Sequence, residues 1–461
     1  MTAELTQDDK ARADRVFFGH PRGLGYIAFT EGFVAFSYYG MQSLLVLYMV
    51  GSLLKPGHIE HVIGFSGFRS VLEGLYGPLA GQPLASAIMG VYSALIYASP
   101  ILAGLVADRL LGRRNTIIVG AVLLTAGHFL MAFDFSFLLA LSCLIAGMGC
   151  AGNLKAQVGG LYQAGDLRRA DAFQLYTLGV QIAVIVAPLI CGTLGQTYAW
   201  HWGFGAAGVG MLIGLVLYLS AGRWLPPEPA ISRRGEKVVR PPLTAKEWKI
   251  VGVLVLLLPV LAFAALGNME IFNAYLIWGQ ANFQLVFFGR TMPVSWLLSL
   301  DAIVSTVTLL GSLLFWRWWA ARRREPDEII KVAIGAFIAA GGPLVLAAAS
   351  MHAAGGHKVG LVWGLGFHIV NDIGFANVYA VGLALFSRAA PPALGAAIRL
   401  GCDLSGRSPP LLARSWLKLE GQSLVLGADA TGAALLLGEQ TAKRASTLAG
   451  ILGRDLAIRP G

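Results

Sequence analysis

Charge is what this chain is short of. Only 13% of its 461 residues are Asp, Glu, Lys or Arg, against 56% hydrophobic residues, and the mean hydropathy is +0.66. Soluble domains carry about 25% charged residues, so the composition excludes a water-soluble enzyme and indicates a polytopic membrane protein. Cysteine is scarcer still. Cys143, Cys150 and Cys191 fall within apolar runs and Cys402 stands alone, which excludes a disulfide framework or metal-ligand spacing. The sequence offers no Gly-rich phosphate loop, no metal cluster and no nucleophile with base and orienter on one face, so it is not read as an enzyme. The net charge of +10 does not point to nucleic acid, because the basic residues sit in short loops between apolar runs. That distribution is the positive-inside pattern of membrane proteins.

What is present begins with the run Leu24 to Val50, LGYIAFTEGFVAFSYYGMQSLLVLYMV. A helix rising about 1.5 Å per residue crosses a hydrocarbon layer of about 30 Å with a run of this length. It carries one carboxylate, Glu31, and an ionisable group inside a span is a functional-site candidate. Residues 1–23 are polar, carry Lys10, Arg12, Arg15 and Arg22, and read as a cytoplasmic segment with no cleavable signal peptide. A polar, Gly-rich loop at 51–82 is expected on the outer side. Further spans follow at about 84–107, 115–133, 136–162, 172–198 and 202–221, with Asp108, Arg109, Arg113, Arg114, Arg168 and Arg169 in cytoplasmic loops. The six-helix bundle 24–221 gives way to a Pro- and Arg-rich cytoplasmic linker, 222–248. Spans at about 249–280, 294–316, 329–350 and 358–387 then make a second bundle, 249–388, with Arg317 and Arg322 to Arg324 on the cytoplasmic side. The expected fold is all-α, two helical bundles around a central cavity.

From Pro391 the pattern fails. Arg399, Asp403, Arg407, Pro409, Pro410, Arg414 and Lys418 interrupt any run long enough to cross, so the tail 389–461 reads as polar, atypical and loosely structured, with an interfacial or solvated helix at its end. The last two helices of a complete second bundle are therefore degenerate or missing, and the abrupt change near residue 395 also suits a shifted reading frame.

The first helix, TEGFVAFSYYGMQSLLVLYM, resembles the opening of the proton-dependent oligopeptide transporters, a branch of the major facilitator superfamily. SPILAGLVADRLLGRRNTIIVGA is similar to their second-to-third connection, GLYQAGDLRRADAFQLYTLGVQIA to the fourth-to-fifth, APLICGTLGQTYAWHWGFGAAGVGM to the fifth-to-sixth, and MPVSWLLSLDAI to the eighth helix. The resemblance implies a major facilitator fold and import of di- or tripeptides with protons by alternating access. It also implies a small peptide and protons as partners, no cofactor beyond the proton gradient, a monomer, and a bacterial inner membrane with the N-terminus inside.

Departures from the family pattern bear on mechanism. Where the family opens Glu-x-x-Glu-Arg-Phe, Glu31 matches the first Glu, but Val34 and Ala35 replace the second Glu and the Arg, and Gln42 replaces a frequent Arg. The family's Phe-Lys-Pro-Asn reads Cys150, Ala151, Gly152, Asn153, with Lys155 as a relocated cation. Gln181 stands for an Asn, Asp301 for an Asn of the eighth helix, and Phe375 for a Glu of the tenth, with Asp372 nearly one turn earlier.

By that resemblance Glu31 is the proton-coupling candidate; with Ala35 beside it there is no adjacent cation, and a permanently protonated structural carboxyl is the competing reading. Tyr38, Tyr39 and Tyr92 are candidate substrate contacts through hydroxyls and ring faces, with Tyr38 the weaker of the adjacent pair and helix packing the alternative for Tyr92. Lys155 suits a peptide carboxylate or, equally, snorkels to the membrane edge. Gln181 keeps an amide, while Glu270 or Asp301 suits the peptide's ammonium. Asp108, Arg109, Arg113 and Arg114 are gating candidates. His128 and His368 read as satisfied core histidines rather than proton relays. A degenerate homologue that binds without transporting competes with the transporter reading.

Overall fold

The computed structural model describes residues 14–162, 166, 168–228, 248–249, 252, 255–256, 259, 262–263, 266–389, 415–420, 423–428, 439–451 and 454–460. The expected features within 1–13, 229–247 and 390–414, and most of 249–265, lie outside the described residues.

Helices dominate. α1 spans Arg22–Tyr48, α2 Phe65–Tyr76, α3 Gly81–Val106, α4 Arg113–Leu130, α5 Phe137–Ala151, α6 Leu154–Gly160, α7 Arg168–Ala187 and α8 Trp200–Ser220. π-turns prolong α1 to Leu53, α3 to Leu111 and α7 to Tyr198. After the linker come α9 (Leu266–Glu270), α10 (Ala274–Asn282), α11 (Trp296–Ala320), α12 (Glu328–Ala353) and α13 (Val362–Ala389). Seven of these helical stretches are long and apolar enough to cross a membrane: 22–53, 81–111, 134–160, 171–198, 200–220, 296–320 and 329–353. Of the other expected spans, α4 begins with two arginines and is short, and α13 carries His368, Asn371, Asp372 and Asn377, which lower its apolarity.

Helix packing falls into two groups. α1 packs on α7 and α8, α4 on α5 and α8, and α3 on α5; separately, α13 packs on α12 and α11. Most of α1 is buried, with Leu24, Ile27, Met41 and Leu44 fully enclosed, while Phe29 stays exposed. In lipid, where apolar burial gives little between helices, close approach through small residues takes over. A Cβ on Gly374 of α13 would lie 2.4 Å from the Ala339 nitrogen of α12, so only glycine permits that crossing. α7 against α11 joins the groups.

Three expectations are corrected. The outer loop 51–82 contains α2, an amphipathic helix that buries Phe65 and Leu72, because its apolar positions recur at helical spacing despite flanking glycines. The span expected to be continuous over 249–280 is broken within its described part: residues 271–273 interrupt α9 and α10, with Asn273 at φ −127°, ψ −101°. Finally, the described tail is not loose. β3 (Ser415–Glu420) and β4 (Ser423–Ala428) form a hairpin, α14 (Glu439–Ile451) follows, and β5 (Asp455–Pro460) adds parallel to β4. Leu424, Leu426, Ala445, Leu448 and Ala449 close a small core of their own. The short apolar run SLVLGA, too short to cross a membrane, is a buried central strand. Between α10 and α11, β1 (Val286–Phe287) and β2 (Arg290–Thr291) pair across Phe288 and Gly289, both at positive φ, the geometry of a tight two-residue hairpin.

Candidate functional site

Glu31 lies midway along α1, partly buried, with Tyr176 of α7 and Lys155 of α6 the groups acting on its carboxylate. Lys155 reaches this position because the helix bends between Ala151 and Leu154, where Gly152 and Asn153 separate α5 from α6. The relocated Lys155, whose side chain is exposed, acts on Glu31 electrostatically from another helix.

Tyr38 and Tyr39 meet edge to face at 5.0 Å. Their roles separate. Tyr38 accepts from the Gln42 amide at 2.7 Å and lies near Tyr92 and Tyr97, whereas Tyr39 packs on Phe272 of the second group, ring centroids 6.2 Å apart. Tyr92 is buried and Tyr97 is exposed. Gln181 donates to Thr306 of α11 at 3.0 Å, so its amide bridges the groups rather than meeting Tyr92.

Further bridges cluster toward one end of the molecule. Ser86 of α3 donates to Asn273 at 2.9 Å, Ser299 to the Ile185 carbonyl at 2.6 Å, Gln196 to Ser295 at 2.6 Å, and Trp296 to Thr193 at 2.9 Å. Gly192 lies against Ser295 so closely that a Cβ would sit 2.0 Å from its hydroxyl. Glu270, partly buried before the break, accepts from the Asn273 side chain at 3.2 Å and lines a cavity of about 550 Å³ with Tyr275, Phe367 and Asn371. The break thus places a carboxylate beside the cross-group contact, as unwound helix segments do at transporter binding sites.

Asp301 is buried and bound to His368, Oδ1 to Nδ1 at 2.8 Å. The other ring nitrogen meets the Tyr275 hydroxyl at 2.9 Å. His368 is therefore satisfied, as expected, but by titratable partners. Asp372, a turn along α13, takes a bond from Asn371 at 3.2 Å through Oδ1 only. Asp301 and His368 are directly hydrogen-bonded and Asp372 stands beside them, with one carboxylate oxygen or ring nitrogen of each residue within 4.8 Å of the others. His128 departs from expectation: it is buried and neither ring nitrogen has a hydrogen-bond partner among the described residues.

The gating candidates occupy the π-turn that ends α3 and the first turn of α4. Arg113 Nε stands 4.0 Å from Asp108, and Arg109 is exposed. Sequence reasoning missed their main partner. Glu228, in the linker, accepts from the backbone nitrogens of Arg113 and Arg114 at 3.0 and 2.6 Å, seating a carboxylate on the positive end of α4. At the same end of the bundle Arg168 pairs with Asp166 at 2.7 Å and holds its carboxyl below the usual range, while burial, reinforced by Arg168, lowers His20, whose ring meets Tyr162 at 2.8 Å.

A family model of the Major Facilitator Superfamily matches residues 27–400. An uncharacterised transporter of Bacillus subtilis is 28% identical over 84% of this chain and 85% of its own length. A peptide transporter of Yersinia enterocolitica is 26% identical over 82% of this chain and 83% of its own. A di-/tripeptide transporter of Lactococcus lactis is 38% identical over 45% of this chain and 39% of its own length. Among solved structures, a mutant peptide transporter POT bound to alafosfalin superposes with TM-score 0.67, covering 89% of this chain and 90% of that one at 25% identity.

Proposed function

Because the chain belongs to the Major Facilitator Superfamily, in its proton-dependent oligopeptide transporter branch, we propose that it imports di- or tripeptides, or peptide-like molecules, with protons by alternating access. One observation carries the reading: Lys155 acting on Glu31 within one helix group and Glu270 beside the bridge to that group on the other. A zwitterion in a low-dielectric cavity needs both ends paired. Lys155 receives the peptide carboxylate and Glu270 or Asp301 the ammonium. Tyr39, with Tyr38 and Tyr92 behind it, offers hydroxyl and ring surface to the backbone between. Gln181 holds the two groups together at mid-depth.

Glu31 binds the coupled proton, with Tyr176 and Lys155 the groups acting on its carboxylate, and no cofactor takes part beyond the proton gradient. The end where the groups are bridged faces outward, and the end bearing Asp108, Arg109, Arg113 and Arg114 faces the cytoplasm of a bacterial inner membrane, where these residues gate the inner exit of a monomer. The N-terminus lies on that same side.

The test is uptake of a labelled dipeptide into proteoliposomes, with and without an inward proton gradient. Gradient-dependent accumulation is expected, and Glu31→Gln should abolish it while peptide exchange partly survives. Equal accumulation by the variant and the unaltered protein would remove Glu31 from the coupling role. No uptake by folded, inserted protein would favour a binding protein that no longer transports.

A further inference from the structure

The second helix group holds a cluster of titratable side chains of which the transport reading above uses only Asp301, as an alternative to Glu270. Tyr275 of α10, His368 of α13 and Asp301 of α11 are linked by bonds of 2.9 and 2.8 Å. One oxygen of each aspartate and a ring nitrogen of His368 all lie within 4.8 Å of one another. Asp372 is 1% exposed and His368 fully enclosed. The Oδ2 atom of Asp372 has no hydrogen-bond partner among the described residues. A buried carboxylate oxygen without a partner is costly when ionised and is relieved by a proton.

Geometry also lets the chain change charge without moving. With a neutral ring, Nδ1–H donates to Asp301 and the Tyr275 hydroxyl donates to Nε2. With a charged ring, Nε2–H donates to the Tyr275 oxygen instead, at the same heavy-atom positions. Among the described residues, the charged and titratable groups around it are few. α10 contributes Tyr275, α11 Asp301, and α9 Glu270 at the rim of the shared cavity. On α12, Lys331 and His352 are engaged at its ends, with Glu325 and Trp363. Tyr275 and Asn371, the residue next to Asp372, line the cavity of about 550 Å³, so the cluster abuts open space.

We infer that Asp372, His368 and Asp301, closed by Tyr275, form a second proton-binding centre, in the helix group opposite Glu31, whose proton enters at Asp372 Oδ2. One proton is taken from water on one side and the same proton returns to water on the other, so the centre's charge rises by one on loading and falls by one on release. The inference deepens the transport reading and rests on it for its role in coupling, though the proton site itself does not. Asp372 and Asp301 share the proton; His368 and Tyr275 are positioning residues that hold Asp301 and relay the charge. With Asp301 given to His368, Glu270 is the carboxylate left to the substrate ammonium.

The experiment is infrared difference spectroscopy of the full-length protein in lipid, stepping pH and following the carbonyl band of protonated carboxyl groups. The expected result is a pH-dependent band that Asp372→Asn removes and that His368→Gln shifts in its midpoint pH. A band unaltered by Asp372→Asn in folded protein, as judged by gel filtration and circular dichroism, overturns the proposal. If Asp372→Asn does not fold, an unshifted midpoint in His368→Gln overturns it in turn. In proteoliposomes, Asp372→Asn should lower proton-driven accumulation at least about tenfold relative to counterflow of the same dipeptide by the same variant. A band that behaves as expected in a protein that exchanges no dipeptide keeps the proton centre and defeats the peptide reading instead.

Discussion

Lys155 is the residue on which substrate charge recognition turns. It is exposed, one turn beyond the family's usual lysine position, and acts on Glu31 from a separate helix segment. A charge-assisted contact contributes about 1.5–3 kcal/mol, so Lys155→Ala should weaken dipeptide binding roughly tenfold to a hundredfold in a thermal-shift or fluorescence titration. Unchanged affinity would return Lys155 to the membrane edge. A second residue-scale expectation concerns acid. The folded protein holds His20 below its ordinary value, so as pH falls through about 6.5 the unfolded chain takes that proton first and stability declines. Asp166, held low by Arg168, adds a further loss only as pH falls below about 4. His20→Gln should flatten the first limb of a melting-temperature profile and leave the second. Glu31 and Lys155 were legible in the sequence because a charge inside an apolar run stands out. The bond from His368 to Asp301 was not, since they are 67 positions apart and one sequence does not record which helix faces meet. Glu228 was hidden for a different reason: an acidic residue in a Pro-rich linker looks solvated until a helix end is brought to it.

At the scale of elements, hydropathy located the spans because length and apolarity are what a bilayer demands. It did not show the interruption at 271–273, since a break flanked by cavity-lining residues keeps its apolar neighbours. α2 was masked by glycines on both sides, although Phe65, Phe68 and Leu72 mark its buried stripe. The β3–β4–β5 sheet lay in text too polar for a span and was read as loose, yet a short buried strand needs no such length. The crossing of α7 with α11 carries the clearest test. Gly192 leaves no room for a side chain against Ser295. Gly192→Leu should therefore prise this end open, raising labelling by a membrane-impermeant thiol reagent of a cysteine placed at Thr193, with uptake falling several-fold. Labelling equal to that of Thr193→Cys alone would show that the end opens as readily with glycine.

For the whole molecule, the bridges Ser86–Asn273, Gln196–Ser295 and Trp296–Thr193 concentrate at one end, and Tyr97 is exposed nearer the other. A cysteine at Tyr97 should react with impermeant reagent from the cytoplasmic face and be protected by excess dipeptide, while one at Ser86 should stay unreactive. Reaction of both from the outside would reverse the orientation proposed here. The divided helix at 271–273 bears on the same cycle. A rigid rod shared by both gates would force one to open as the other shuts. A rod with a joint lets each half answer to its own neighbours, so both gates can be shut together, and cargo can be sealed from either solution before it is released.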